Sequence, residues 1–241
     1  MNIAKANEPM HNIDVWLGRE NSVNVYTKQD IYKTIKKAKK KLLKVLSKRQ
    51  ANLTVVLENV QDPHNVSAVM RTCDAVGIQE VYVLTTKIPR HKKWGYRSSS
   101  SALKWLTIHE FETLEDCVKE LRKKFSKILT THLSSDAVSL HDINFTESVA
   151  LVFGNEHAGV TEEFRNLADG NFIIPQMGII QSLNISVACA VSIYEAMRQK
   201  MNAGHYEKAS LPQAQMETLL TQWGFEEDTP EVYNNSKLKR S

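Results

Sequence analysis

Three short segments of this 241-residue chain crowd amides, carboxylates, hydroxyls and glycines together. The first is Asn-Val-Gln-Asp-Pro-His-Asn at 59–65, with Arg71 following. The second is Gly-Asn-Glu-His-Ala-Gly-Val at 154–160, and the third is Pro-Gln-Met-Gly-Ile-Ile-Gln-Ser-Leu-Asn at 175–184. Side chains of these types orient a polar ligand and act on developing charge, while glycines let backbone approach it closely. Each segment also has a plain structural account. Asp-Pro-His-Asn is turn chemistry in which Asn65 caps a helix, Gly154 and Gly159 make tight turns, and Ser182 or Asn184 caps the helix that follows. Arg71 shares a helical face with Ser67, Ala68, Asp74 and Ala75, away from the core, where an ion pair with Asp74 is the structural alternative. On the residues alone both accounts stay open.

Several chemistries lack their motif. There is no G-x-G-x-x-G turn, no G-K-[ST] phosphate loop and no G-x-S-x-G elbow. The eight histidines show no H-E-x-x-H or other metal spacing, so no metal is expected. The chain reads as an α/β ligand binder without the ordinary dinucleotide fingerprint.

Alternating strands and helices must position these segments. Strands are expected at 53–58, 80–84, 127–131, 149–153 and 172–174, and helices at 66–76, 114–125, 161–167, 185–202 and 212–223. Gly77 and Gly204 act as helix stops. Strands separated by helices predict a mostly parallel sheet with helices on both faces, and ligands bind such sheets outside the carboxyl ends of the strands. Ahead of the first strand, Ile31, Ile35, Ala38, Leu42, Val45 and Leu46 form one helical stripe. The divisions expected are a polar leader of flexible composition at 1–28, a basic amphipathic helix at 29–50, the main domain at 51–205 and a polar extension at 206–241.

Net charge is only +4, but residues 33–49 hold nine basic side chains and no acid. Smaller clusters follow at Lys87, Arg90, Lys92, Lys93 and Arg97 and at Arg122, Lys123, Lys124 and Lys127. Such blocks favour a polyanionic partner over a merely solvated face. A basic helix also suits a membrane surface, but it has no Trp or Phe on its apolar side and leaves the three segments unexplained. No apolar run reaches the roughly 18 residues of a membrane span, and residues 1–10 lack the apolar centre of a secretory signal. Three separated cysteines (Cys73, Cys117, Cys189) read as reduced thiols of a cytoplasmic protein.

Taken in order, the segments resemble the three signature motifs of the SpoU-type RNA 2′-O-ribose methyltransferases of the SPOUT superfamily. The first is carried by NVQDPHNVSAVMRT, which starts at Asn59 and includes Arg71; the second by LVFGNEHAGV at 151–160; the third by IIPQMGIIQSLNISVACAVSIYEAMRQ at 173–199. The wording PHNVSAVMRT and MGIIQSLNIS is most similar to the branch that methylates the D-loop guanosine 18 of tRNA. The resemblance implies a parallel α/β sheet with helices on both faces and a C-terminal deep trefoil knot, a feature that periodicity alone does not suggest. It implies S-adenosyl-L-methionine as cofactor, lined by Thr131, Gly154, Ile174, Met177 and Leu183. It implies a catalytic set of Asn65, Arg71, Glu156, Ser182 and Asn184, in a homodimer with the site near the interface.

The reaction removes a proton from a ribose 2′-hydroxyl as it attacks a sulfonium methyl. The resemblance assigns Arg71 as proton acceptor; a guanidinium pKa above about 12 favours an electrostatic clamp instead. RNA contacts are expected from Lys41, Lys44, Lys48, Arg49 and Arg198, and from Arg97 beside Trp94 and Tyr96 in the loop at 91–101. A ribosomal RNA ribose is the alternative substrate, although only about 50 residues precede the first strand, too few for the separate RNA-binding domain of many such relatives. A non-catalytic RNA-binding protein of the same fold is the third reading, and the intact reactive positions speak against it.

Overall fold

The computed structural model describes residues 28–89 and 102–225. Expectations for the leader up to residue 27, for Arg90, Lys92, Lys93, Trp94, Tyr96 and Arg97, and for the extension beyond residue 225 lie outside the described residues. The chain divides into two compact units, residues 45–212 and residues 1–44 with 213–241.

The described residues form strands β1 (Leu53–Glu58), β2 (Glu80–Leu84), β3 (Thr107–Phe111), β4 (Lys127–Thr131), β5 (Val138–Ser139), β6 (Val149–Phe153) and β7 (Gly170–Ile173). Their helices are α1 (Lys28–Leu46), α2 (Pro63–Val76), α3 (Leu114–Arg122), α4 (Glu162–Leu167), α5 (Ile185–Asn202) and α6 (Gln213–Gln222). The larger unit is a seven-stranded sheet in the order β3-β2-β1-β6-β4-β7-β5. Every neighbouring pair is parallel. β6, late in the chain, is inserted between β1 and β4, with Leu57 beside Phe153 and Thr130 beside Val152.

Both faces of the sheet are covered, as its two-sided apolar strands require. Leu53, Val55 and Leu57 of β1 and Val149, Leu151 and Phe153 of β6 pack with Val69, Met70 and Cys73 of α2 and Ile185, Cys189 and Ile193 of α5. On the other side, Val56, Ala150 and Val152 pack with Cys117 and Leu121 of α3 and Phe164 of α4. Each fully buried side chain of this size stabilises the fold by about 1.5–3 kcal/mol. β3 and β5 were not expected from the sequence. β3 is half-buried along its whole length at one sheet edge, and β5 is only two residues long at the other.

α2 starts three residues before the expected position. Asp62 caps it by accepting from the His64 amide at 2.8 Å, and Pro63 presets the first turn. Asn65 is therefore inside the helix and not its cap. The helix ends at Gly77 in the left-handed region, φ 87°, where a Cβ would lie 2.6 Å from the Lys48 carbonyl oxygen.

In α1, Leu42 and Leu46 are buried and Ile35 and Ala38 half-buried, but Val45 is exposed and leaves the expected stripe. Arg49 corrects a second expectation. Read with the RNA-contacting basics, it is 0% exposed. Its guanidinium donates to the Asp74 carboxylate at 2.6 Å and to the carbonyls of Ile78 and Trp105 at 3.0 and 3.2 Å. It ties the end of α2 to the start of β2 and is not available to a phosphate. Asp74, the alternative partner for Arg71, is thereby taken by Arg49. A second buried cation is Lys200 on α5, whose Nζ donates to the Glu147 carbonyl at 3.2 Å; burial pulls its ammonium down to about 8.

Candidate active site

The three polar segments all leave carboxyl ends of strands: residues 59–62 follow β1, 154–161 follow β6 and 174–184 follow β7. Because β1 and β6 are neighbours, the first two segments meet. Glu156 is their junction. Its Oε1 accepts from the Asn65 side-chain amide at 2.9 Å and the Asp62 amide at 3.2 Å, and its Oε2 accepts from the Gln61 amide at 3.1 Å. Partial burial pushes this carboxyl up, but the hydrogen bonds from Asn65, Gln61 and Asp62 outweigh burial and hold it below the ordinary carboxylate range. Glu156 is thus ionised at neutral pH, and the Asn65, Gln61 and Asp62 groups that donate to it are neutral.

The third segment joins through Asn184. Its Nδ2 donates to Asn65 Oδ1 at 3.1 Å, while its Oδ1 caps α5 by accepting from the Ser186 amide at 2.9 Å and hydroxyl at 2.6 Å. Asn65, Glu156 and Asn184, distant in sequence, are therefore one hydrogen-bonded chain. The capping role open to Ser182 falls to Asn184 alone. Ser182 is exposed. Arg71 lies six residues beyond Asn65 on α2, about 9 Å along the axis, and is also exposed. Neither side chain makes a hydrogen bond or ion pair among the described residues.

Gly154 is required by close approach. A Cβ there would sit 2.1 Å from the Gly159 carbonyl carbon. Asn155 and Gly159 close the loop by mutual amide–carbonyl bonds of 3.0 and 2.9 Å, with Gly159 at φ 68°. Thr131 ends β4 and donates its hydroxyl to the Val152 carbonyl at 3.1 Å; Ile174 packs on the core beyond β7. Met177 is 96% and Ile179 100% exposed, and Leu183 is exposed as well. The strand ends thus offer backbone groups and a tightly closed glycine turn, flanked by solvent-facing apolar side chains and an ionised carboxylate. Such a set suits a cationic ligand with a flat apolar ring. Among the described residues no group of three or more His, Cys, Asp or Glu side chains could hold a metal ion.

Residues 52–194 match the model of the SpoU rRNA Methylase family. The chain belongs to that family. Within the match lie all three polar segments and the residues of the Glu156 network. A model of the C-terminal domain of penicillin-binding protein 5 also matches residues 1–87, less than half of the chain, and overlaps the first. The chain is 40% identical over 187 residues to the tRNA (guanosine(18)-2′-O)-methyltransferase of Escherichia coli, covering 77% of this chain and 81% of that one. Its fold is similar to the crystal structure of the Aquifex aeolicus TrmH/SpoU tRNA modifying enzyme, with TM-score 0.73 and 34% identity over 79% of this chain and 96% of that one. It is also similar to the SpoU methyltransferase AviRb of Streptomyces viridochromogenes in complex with AdoMet, with TM-score 0.57 and 28% identity over 64% of this chain and 62% of that one.

In this SpoU family member the expected RNA-contacting side chains differ in their surroundings. Lys41, Lys44 and Lys48 are exposed, and Lys48 donates to the Tyr206 carbonyl. Arg198 is held bidentately by Glu195 at 2.8 and 2.9 Å. Two loop residues went unsingled in the sequence: Asn59, buried with φ 51°, and Asn155, which bonds to it. A non-glycine at positive φ favours Asn, but nothing in the spacing announces one.

Proposed function

We propose that this chain transfers a methyl group from S-adenosyl-L-methionine to the 2′-hydroxyl of a tRNA ribose, that of guanosine 18 in the D-loop. The observation that carries the reading is the Asn65–Glu156–Asn184 network, which joins the three motif loops at the strand ends. The identity to the Escherichia coli enzyme supports tRNA over ribosomal RNA.

The residues present fit the cofactor: Gly154 lets its loop close tightly on Gly159 and present backbone groups at the strand end, Thr131 and Ile174 stand at the ends of β4 and β7, and Met177 and Leu183 offer apolar cover. When bound, the cofactor supplies an electrophilic methyl on a sulfonium cation. Glu156 presents fixed negative charge and holds Asn65, whose amide and that of Asn184 orient polar groups at the site. Arg71, exposed and without a carboxylate partner among the described residues, faces the negative charge of a phosphate and of the developing alkoxide. Because a guanidinium stays protonated, its part is to stabilise the oxyanion rather than to take the proton. Ser182 completes the catalytic set.

Finer features belong to the same reading. The C-terminal part of the sheet forms a deep trefoil knot. The chain is a homodimer whose contact includes Val187, Val191, Tyr194 and Met201, exposed apolar residues at helical spacing on α5. The basic helix, with Lys41, Lys44 and Lys48, holds RNA phosphates, and Arg198 joins them on leaving Glu195; the segments 1–28 and 206–241 flank the methyltransferase domain. The enzyme works in the cytoplasm, where its substrate is. No described helix is long and apolar enough to cross a membrane.

The test is incubation with radiolabelled S-adenosylmethionine and unmodified tRNA transcript, followed by mapping of the 2′-O-methyl nucleotide, with Arg71→Ala in parallel. Methylation of guanosine 18, lost in the variant, is expected. Transfer to ribosomal RNA alone overturns the substrate, and failure to bind cofactor overturns the activity.

A further inference from the structure

The loop that presents Glu156 closes on itself and is also tied to the loop after β1. Its neighbour Asn155 uses both halves of its side chain. Oδ1 accepts from the amides of His157 and Ala158 at 2.9 and 3.0 Å, shaping the turn around Glu156, and Nδ2 donates to the Asn59 carbonyl at 2.9 Å. Asn59 is itself fixed. Its backbone holds φ 51°, it is almost fully buried, and its amide donates to the Leu84 carbonyl at 2.8 Å. Its Oδ1 accepts from the amides of Thr86 and Lys87, both at 2.8 Å, and its Nδ2 donates to the Thr86 hydroxyl at 3.0 Å. The bond from Asn155 to Asn59 is therefore a brace from the β6 loop to a rigid point between the ends of β1 and β2.

We propose that Asn155 is a positioning residue for the reaction: braced on Asn59, it aims the Glu156 carboxylate at Gln61, Asp62 and Asn65. It touches neither substrate nor cofactor and acts through Glu156. The proposal deepens the methyltransferase reading and rests on it for its kinetic test, but not for its structural one. A carboxylate set off by an ångström loses its three donors together, because amide–carboxylate bonds weaken steeply beyond about 3.2 Å, and small misplacements of this kind cost rate heavily.

Asn155→Asp is the isosteric probe. It keeps the size and the acceptor toward His157 and Ala158, and it replaces the donor to Asn59 with a charged oxygen facing a carbonyl; Asn155→Ser, run beside it, separates loss of the brace from the added charge. The prediction is a fall of about tenfold or more in kcat, with the dissociation constant for S-adenosylhomocysteine changed by less than about threefold. In a double-mutant cycle with Glu156→Gln, the Asn155 penalty should largely vanish, since the residue it positions is already altered. Equal penalties in both backgrounds, or wild-type kcat in the single variant, overturn the proposal. Amide hydrogen exchange of the full chain gives a readout independent of activity: exchange at Gln61 and Asp62 should accelerate in Asn155→Asp. Unchanged exchange there overturns the brace even if no RNA substrate is found. Absence of methyl transfer by the wild type, with accelerated exchange in the variant, sinks the methyltransferase reading and leaves the brace standing. Asn155→Ser, which retains a short acceptor without the facing charge, should give the same exchange pattern should Asn155→Asp fail to fold.

Discussion

Asn184 donates its side-chain amide to Asn65 at 3.1 Å across 119 positions of sequence, while the oxygen of the same amide caps α5. Asn65 in turn gives its own amide to Glu156. Each member of this chain is oriented by the next, so each can be tested by what its neighbour loses.

Asn65→Ala removes a donor from Glu156 and an acceptor from Asn184 in one step. Loss of a preorganised donor in an active site commonly lowers kcat by about 100-fold or more. The same order is expected here, with a stability loss of only about 1 kcal/mol because the groups reach solvent. Steady-state methyl transfer beside urea denaturation checks both, and a large stability loss with near-normal kcat would contradict the network's role.

Arg49 and Lys44 should separate cleanly although both belong to one basic run. Arg49→Ala breaks a buried pair, takes the donor from the Ile78 carbonyl and leaves that of Trp105 to Gln79, costing about 3 kcal/mol or more. Lys44→Ala should leave the melting temperature within a degree or two and reduce the salt slope of tRNA binding by about 1. Filter binding across a salt series distinguishes the two.

Gly154→Ala places a methyl inside van der Waals contact of Gly159. The loop must open, so cofactor binding should fall by at least about tenfold, with about 1–3 kcal/mol of stability lost to strain. Calorimetric titration with S-adenosylhomocysteine reads the first effect, and Glu156 leaving its amides should appear as altered hydrogen exchange at Gln61.

Lys200 supplies a pH signature. Its folded pKa, about 8, lies below the ordinary 10.5, so the unfolded chain binds the proton more tightly. Between those values the unfolded state keeps a proton that the native state has lost, and stability therefore rises with pH across that window. At neutral pH the buried charge costs about 3 kcal/mol. Lys200→Met should raise stability at pH 7 by roughly 2 kcal/mol, after the Glu147 carbonyl loses its donor. It should also flatten the rise between about 8 and 10.5. Urea midpoints at pH 7 and pH 10 decide it.

The largely apolar runs at β1, β2 and β6 were readable because strands buried on both faces need no alternation, and α5 was readable from its length and its closing glycine. β3 was not: Thr107–Phe111 interleaves Ile with His and Glu at a half-buried edge, a pattern equally at home in a loop. In the site, Asn65, Glu156 and Asn184 were legible through family wording, and their mutual bonds follow from β1 and β6 lying side by side, which no local pattern encodes. Arg49 was misread because its type continues the lysine run. Only the packing of α2 against the start of β2 reveals that its charge points inward.

Asn59 limits what this chain can become. Its backbone conformation is cheap only for Gly, Asn and Asp. Its side chain must accept two amides and also donate to a hydroxyl within a very short reach. Glycine can do neither, and aspartate, with the Thr86 hydroxyl turned to donate, accepts from all three only by burying a full charge. Of the twenty amino acids asparagine alone meets these demands without a buried charge, so neutral drift has almost no exit at this position, and the loops after β1, β2 and β6 must evolve around a fixed point.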